Sequence, residues 1–291
     1  MQYNHISNQA MKSTFIDTHC HLNFKRFKNT LDEVNIATKE KGVTICIVPG
    51  TDILLSLKAV EIASKYEGIY AAVGIHPHHT MEKSMIQNQN SNTLEIDVHE
   101  LEKLIIHPKV VAIGEVGLDR HVYEDTKYPD YQISEEFINA QKEYFIAQLH
   151  LAQKYEKALI IHNRETKKDL LAILDIEWTA EMRLRTVFHC CEPDEELLAY
   201  AIAHNIYIGV DGDVTYGGEK AAFVKKIPLD SLVLETDSPF LLPEPLKTQK
   251  LYPNTPANIP IIAQCIADLK GVEVEEVAQA TTRNAKRLFN V

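Results

Sequence analysis

Two histidines one residue apart, His19 and His21 in the run Phe15-Ile-Asp-Thr-His-Cys-His-Leu22, are the first residues whose spacing can do chemistry. At the end of a β-strand, side chains two apart point the same way. Both imidazoles then face one site and make a seat for a divalent metal. Alone, the pattern is weak, because two unrelated polar residues produce it as well. Later apolar runs add to it. Residues 110–113 lead into Gly114 and Glu115, whose two carboxylate oxygens can each take one cation. Residues 158–161 end in His162, with Arg164 close behind, and 185–188 end in His189. Residues 232–234 lead into Glu235 and Asp237, and their spacing alone does not say which acid reaches a metal. Taken singly, each has a plainer reading as a solvated acid or a hydrogen-bonded core histidine. Taken together, they describe a metal site assembled from strand ends.

The elements that must position these residues follow from periodicity. Short β-branched or apolar runs alternate with helical patterns, which predicts βα units around a parallel sheet. Eight strands are expected at 14–18, 43–48, 70–74, 110–114, 158–162, 184–189, 206–210 and 231–236. Helices are expected at 29–41, 52–66, 134–156, 165–175, 194–204, 258–270 and 273–288. Gly42 is a plausible stop for the first, and Ser134 with two following glutamates a start for the third. Eight such repeats closing on themselves give an α/β fold, the TIM (β/α)8 barrel, with an open doubly wound sheet as runner-up. No Gly-rich phosphate loop is present, which counts against the runner-up. In a barrel the carboxyl ends of all strands converge on one face, where barrel active sites lie. Six ligands there suit two divalent cations roughly 3.5–4 Å apart, bridged by a carboxylate. Polar segments 78–97 and 119–133 read as insertions on that rim, and 239–257, with its prolines, as an irregular loop.

Bulk properties bound the reading. A chain of 291 residues with 45% hydrophobic content can be one barrel domain at 14–291. Residues 1–13 are expected to be a disordered extension, with Met11 an alternative start. No run is long enough to span a bilayer, and the first residues lack the apolar stretch of a secretory signal. Five scattered cysteines suit a reducing cytoplasm. The net charge of −11 remains acidic after two divalent cations bind, which excludes a basic nucleic-acid coat protein but allows an enzyme that touches phosphates through metals. A monomer with no membrane association and no obligate protein partner is expected. Cys20, between the two histidines, should face away into the core. Cys190-Cys191 should be packing residues rather than a disulfide. His78, His79, His99 and His121 should be solvated, and His150 structural.

The motifs FIDTHCHL, VGIHPH (73–78), AIGEVGLD, LIIHNRE, VFHC, LVLETDSPFL, NTPANIP (254–260) and TTRNAKRLF (281–289) run in order over nearly the whole chain. In this the sequence resembles the TatD family of metal-dependent deoxyribonucleases, within the amidohydrolase-like barrels. The resemblance implies one metal held by His19, His21, Glu115 and Asp237, and a second held by Glu115, His162 and His189. It leaves Glu235 as support, and implies that His76, Arg164 and Asn254 line the substrate cleft. It further implies 3'-5' exonuclease cleavage of DNA by water that the two cations activate. Those cations could be zinc, manganese, magnesium or nickel. The chain departs from the family pattern at Cys191, Glu192 and Pro193, at Arg120 and at Pro253. These positions concern the substrate rim rather than the ligands.

Lowering the pKa of water from about 15.7 to about 7 is worth roughly 12 kcal/mol in favour of hydroxide. A positioned base typically gives only about 10²–10⁴-fold, or roughly 3–5 kcal/mol. Metal activation is therefore the larger effect, the histidines are cast as ligands, and Asp237 as the group that orients the water and takes its proton. Two other readings stand beside it. One is a metal-dependent ester or amide hydrolase on the same barrel, such as a D-aminoacyl-tRNA deacylase or a lactonase. The other is a non-enzymatic module with structural metals, disfavoured because structural zinc sites are closed and usually contain cysteine.

Overall fold

The structure is a computed structural model that describes residues 14–81, 93–124, 126, 128 and 131–291. The extension expected at 1–13 and residues 82–92 of the first insertion lie outside the described residues. Eight parallel strands pair in chain order: β1 (Phe15–Asp17), β2 (Val43–Pro49), β3 (Ile69–Val73), β4 (Val110–Asp119), β5 (Ala158–Arg164), β6 (Thr186–Phe188), β7 (Tyr207–Val210) and β8 (Leu232–Leu234). The sheet closes between β8 and β1. Thr18 N–H donates to Leu234 O, Asp237 N–H to His19 O and His21 N–H to Ser238 O. Asp17 ties the same seam, accepting from the Thr236 hydroxyl (2.6 Å) and from the Thr236 and His19 amides.

Nine α-helices are described: α1 (Leu31–Glu40), α2 (Ile53–Lys65), α3 (Thr93–Ile105), α4 (Glu135–Lys154), α5 (Lys167–Glu177), α6 (Glu195–His204), α7 (Gly218–Lys226), α8 (Ile259–Lys270) and α9 (Val274–Phe289). Ser134 caps α4 by accepting from Phe137 N–H, and Gly42 follows α1 with φ 82°, as their positions predict. Helices α3 and α7 are additions to the sequence reading. The first begins inside the segment taken as an insertion, where its apolar face (Leu101 and Ile105 buried) was overlooked. Strand β4 is the main correction. It continues past Gly114 to Asp119, with its register to β5 shifting between Ile113 and Val116, so Glu115 sits within the strand rather than after it.

Alternation along the strands builds two cores. Outward residues such as Val48, Val73, Ile113, Ile161, Phe188 and Leu234 pack under the helices. Inward residues Ile16, Ile47, Ala72, Ile160, Val187 and Val233 fill the barrel, and Leu288 and Phe289 of α9 plug its amino-terminal end. One inward step further along the chain, two residues on, stand His162, His189 and Glu235. The apolar layer is thus the floor of a polar one.

Candidate metal centre

The inward step explains why histidine and glutamate stand at these strand ends. Ile160 leads to His162, Val187 to His189, Val233 to Glu235 and Tyr207 to Gly209. Gly209 has a spatial reason to be glycine: a Cβ there would lie 2.5 Å from both Glu235 carboxylate oxygens. Gly117 has another, because with φ 146° a Cβ would meet His162 O at 1.9 Å.

Glu115 is the hub. Its Oε2 lies 3.4 Å from His19 Nε2 and 3.6 Å from His21 Nε2. Its Oε1 lies 2.8 Å from His162 Nδ1, 3.6 Å from His189 Nε2 and 3.5 Å from His76 Nε2. Asp237 Oδ1 approaches from the seam, 3.3 Å from His21 Nε2 and 3.8 Å from His19 Nε2, while the two imidazole nitrogens are 3.2 Å apart. Four donors about 2.1 Å from a common tetrahedral centre would be roughly 3.4 Å from one another. The spacings of the His19 and His21 nitrogens from each other, from Glu115 and from Asp237 run from 3.2 to 3.8 Å around that figure, and His19, His21 and Glu115, like Glu115, His162 and His189, form a convergent group.

Two further carboxylates orient the imidazoles. Asp119 Oδ2 accepts from His162 Nε2 (2.9 Å) and from the Tyr123 hydroxyl (2.7 Å), and Oδ1 accepts from His121 N–H. Glu235 Oε1 is 3.0 Å from His189 Nδ1 and accepts from Cys190 N–H. A carboxylate on one ring nitrogen leaves the other aimed at the metal position, the usual arrangement of ligating histidines. Asp237, with a positive φ of 48°, follows the end of β8; Glu235 lies against His189 Nδ1, whereas Asp237 lies nearest His21 Nε2 and reaches the other side of the His189 ring at 4.0 Å.

The electrostatics of the centre's own side chains follow from burial against pairing. Burial favours the neutral acid at Glu115, but His76, His189, His19 and His162 outweigh it and hold its carboxyl well below the usual range. Burial likewise disfavours the charged ring of His162, yet Asp119 and Glu115 raise it to about 9. His189 is raised against burial to about 10 by Glu235 and Glu115. His19 and His76 shift down, chiefly through burial.

The structure brings all six expected ligands together, with His76 beside them. Arg164 lies at the rim, its guanidinium 5.3 Å from the Tyr123 ring centroid and donating to the Tyr123 hydroxyl. Asn254 differs from expectation. It is fully buried, and its Nδ2 donates to Thr236 O and Leu241 O, so it holds the loop after β8 and does not open onto a cleft. Arg120 points away into ion pairs with Glu135 and Asp169. His78 and His79 are half-buried against tyrosines rather than solvated: His78 stacks near Tyr131, and His79 Nδ1 is 3.0 Å from Tyr128 Oη. His121 pairs with Glu165 and His150 with Glu177, while His99 is exposed. Cys20 is buried in the outer core, and all five cysteines are free. Asp119 and Tyr123 were missed. Asp119 stood in the AIGEVGLD run, but only the extended β4 carries it to the site.

A closed parallel barrel with a carboxylate shared between two groups of imidazoles at its carboxyl end is the framework of a metal-dependent barrel hydrolase. The chain belongs to the TatD related DNase family, whose model matches residues 16–290. It is 35% identical over 277 residues to the metal-dependent hydrolase YabD of Bacillus subtilis, covering 94% of this chain and 98% of that one. It is 29% identical over 279 residues to the 3'-5' ssDNA/RNA exonuclease TatD of Escherichia coli, covering 94% and 98%. The crystal structure of the TatD homologue YjjV from Escherichia coli superposes with a TM-score of 0.79 at 28% identity, covering 97% of this chain and all of that one.

Proposed function

We propose that this chain is a two-metal phosphodiesterase that removes nucleotides from single-stranded DNA ends in the 3'-5' direction. His19, His21, Glu115 and Asp237 would hold one cation, and Glu115, His162 and His189 the other. The observation that carries this reading is Glu115, whose two oxygens face separate histidine groups at ligand spacing. Bound cations supply Lewis acidity at a phosphoryl oxygen and lower the pKa of water. A set of imidazoles and carboxylates accepts zinc, manganese, nickel or magnesium.

The chain's own groups divide the remaining work. Asp237 has the most open carboxylate of the centre, with its side chain 16% exposed against 4% for Glu115, 1% for Glu235 and 0% for Asp119. Burial works against its ionisation, but His21, His189 and His19 hold it below the usual carboxylate range. It is therefore an ionised acceptor placed to orient water and take its proton. Arg164 offers a permanent positive charge to a phosphate oxygen. His76, whose Nδ1 accepts from His78 N–H, turns Nε2 toward the centre for a second phosphate contact. The names of the family and of the Escherichia coli relative TatD support a nucleic-acid substrate. The free cysteines suit a reducing cytoplasm, and no described helix is long and apolar enough to cross a membrane.

The test is release of nucleotides from a labelled single strand with divalent metal present. Chelation by EDTA should abolish it, and Asp237→Asn should lower it by about 10²–10⁴-fold. Full activity in either condition overturns the assignment.

A further inference from the structure

Beside the centre, the ring of His21 stacks on Phe24 with centroids 4.3 Å apart and planes at 17°. Phe24 in turn meets Phe240 edge to face, at 6.1 Å and 74°. Phe240 is 51% exposed. Single exposed apolar side chains are ordinary on protein surfaces. This pair differs because it continues, ring by ring, from a residue of the metal centre. It is also held in place. Phe240 N–H donates to Asp237 O (2.9 Å), Asn254 N–H to Pro239 O (3.2 Å), and Asn254 Nδ2 to Leu241 O. The same loop that presents the Asp237 carboxylate therefore presents the Phe240 ring, and Asn254 fixes both.

Charge identifies the occupant. Lys25 and Arg26 follow Phe24 in one 3-10 turn with Lys28 just beyond, all three exposed, and none is in an ion pair among the described residues. On a chain of net charge −11, three cations with no ion-pair partner among the described residues, following Phe24 in the chain beside the exposed Phe240, form a local site for a polyanion that also carries flat rings. Base-paired nucleotides keep their faces stacked inside the duplex, whereas an unpaired base has a free π-face to offer.

We infer that the exposed Phe240 ring, buttressed edge to face by Phe24, forms a shelf on which an unpaired nucleobase next to the scissile phosphate stacks, with Lys25, Arg26 and Lys28 alongside the backbone. This rests on the nuclease reading and names the feature that selects single strands at its site. Loss of one ring is expected to change binding about tenfold, or roughly 1.4 kcal/mol, near the lower end of what base–aromatic stacking contributes.

The experiment uses the full-length, metal-loaded protein with two labelled single strands, one normal and one abasic at its terminal positions. Turnover is followed on phosphodiester strands, and binding by anisotropy on phosphorothioate strands that resist cleavage. Phe240→Ala should raise KM and Kd about tenfold for the normal strand, leave kcat near wild type, and change nothing for the abasic strand. Phe240→Trp should bind as wild type or tighter, which separates stacking from loss of loop structure. Unchanged Kd in Phe240→Ala, or equal loss on both strands, overturns the shelf. If the wild type binds the strand with this base-dependent Phe240 effect but cleaves neither substrate, the shelf stands and the nuclease reading fails.

Discussion

Loading the centre with metal should expel protons, and the number is legible in the geometry. In the metal-free protein His162 is raised to about 9, because Asp119 and Glu115 outweigh its burial. His189 is raised to about 10, because Glu235 and Glu115 do the same. Both are therefore protonated at pH 7 to 8, yet each must give up a proton to ligate. Two protons released per loading event make the apparent affinity rise about 100-fold per pH unit across that interval, or roughly 2.7 kcal/mol per unit. Titration calorimetry in two buffers of different ionisation enthalpy counts the protons directly. Competition with a chelator of known pH dependence gives the slope. Release of fewer than one proton at pH 7.5, or an affinity flat from pH 7 to 8, would refute the pairing argument. The stability of the metal-free protein should run the other way. Both histidines sit above their ordinary value of 6.5, so their contribution is complete below that pH and is lost as pH rises through about 9 to 10. Urea midpoints of EDTA-treated protein at pH 6, 8 and 10 should fall in that order, beyond any drift of a His162→Gln, His189→Gln control.

Three further outcomes are expected. Asp119→Asn weakens the hold on His162 and should cost about 10–100-fold in metal affinity or activity while the far-ultraviolet spectrum stays unchanged. Gly209→Ala puts a methyl group 2.5 Å from the Glu235 oxygens, so Glu235 must abandon His189 and Cys190 N–H; turnover should drop about tenfold or more in a folded protein, as activity assays with a thermal melt will read. Leu288→Ala removes part of the plug under the barrel, where Leu288 is 1% exposed, and should lower stability by about 2–5 kcal/mol in urea titration, leaving metal affinity near wild type.

Much of the architecture can be read without coordinates, because hydrophobic period is a local property. Each strand and most helices carry their own alternation, caps or stops, as Ser134 and Gly42 do. The helix at Thr93–Ile105 escaped because a polar stretch precedes it and its buried face is sparse. Strands β6 and β8 are shorter than the 184–189 and 231–236 expected, because the ends of a strand are set by how far its neighbours pair with it and not by its own residues.

The sequence by itself determined which histidines and acids follow apolar runs, and that those runs alternate with helices as the strands of a parallel barrel do. Side-chain type and chain order carry that information locally. Tertiary structure alone decided the finer roles. The register shift after Ile113 places Glu115 between two histidine groups and brings Asp119 behind His162. At the seam after β8, Glu235 comes against His189 Nδ1 and Asp237 against His21 Nε2. Asn254 is drawn out of the cleft and into the loop that holds Phe240. Each of these depends on where one strand stops pairing with another, a balance of contacts between residues far apart in the chain, which no local pattern of residues can record.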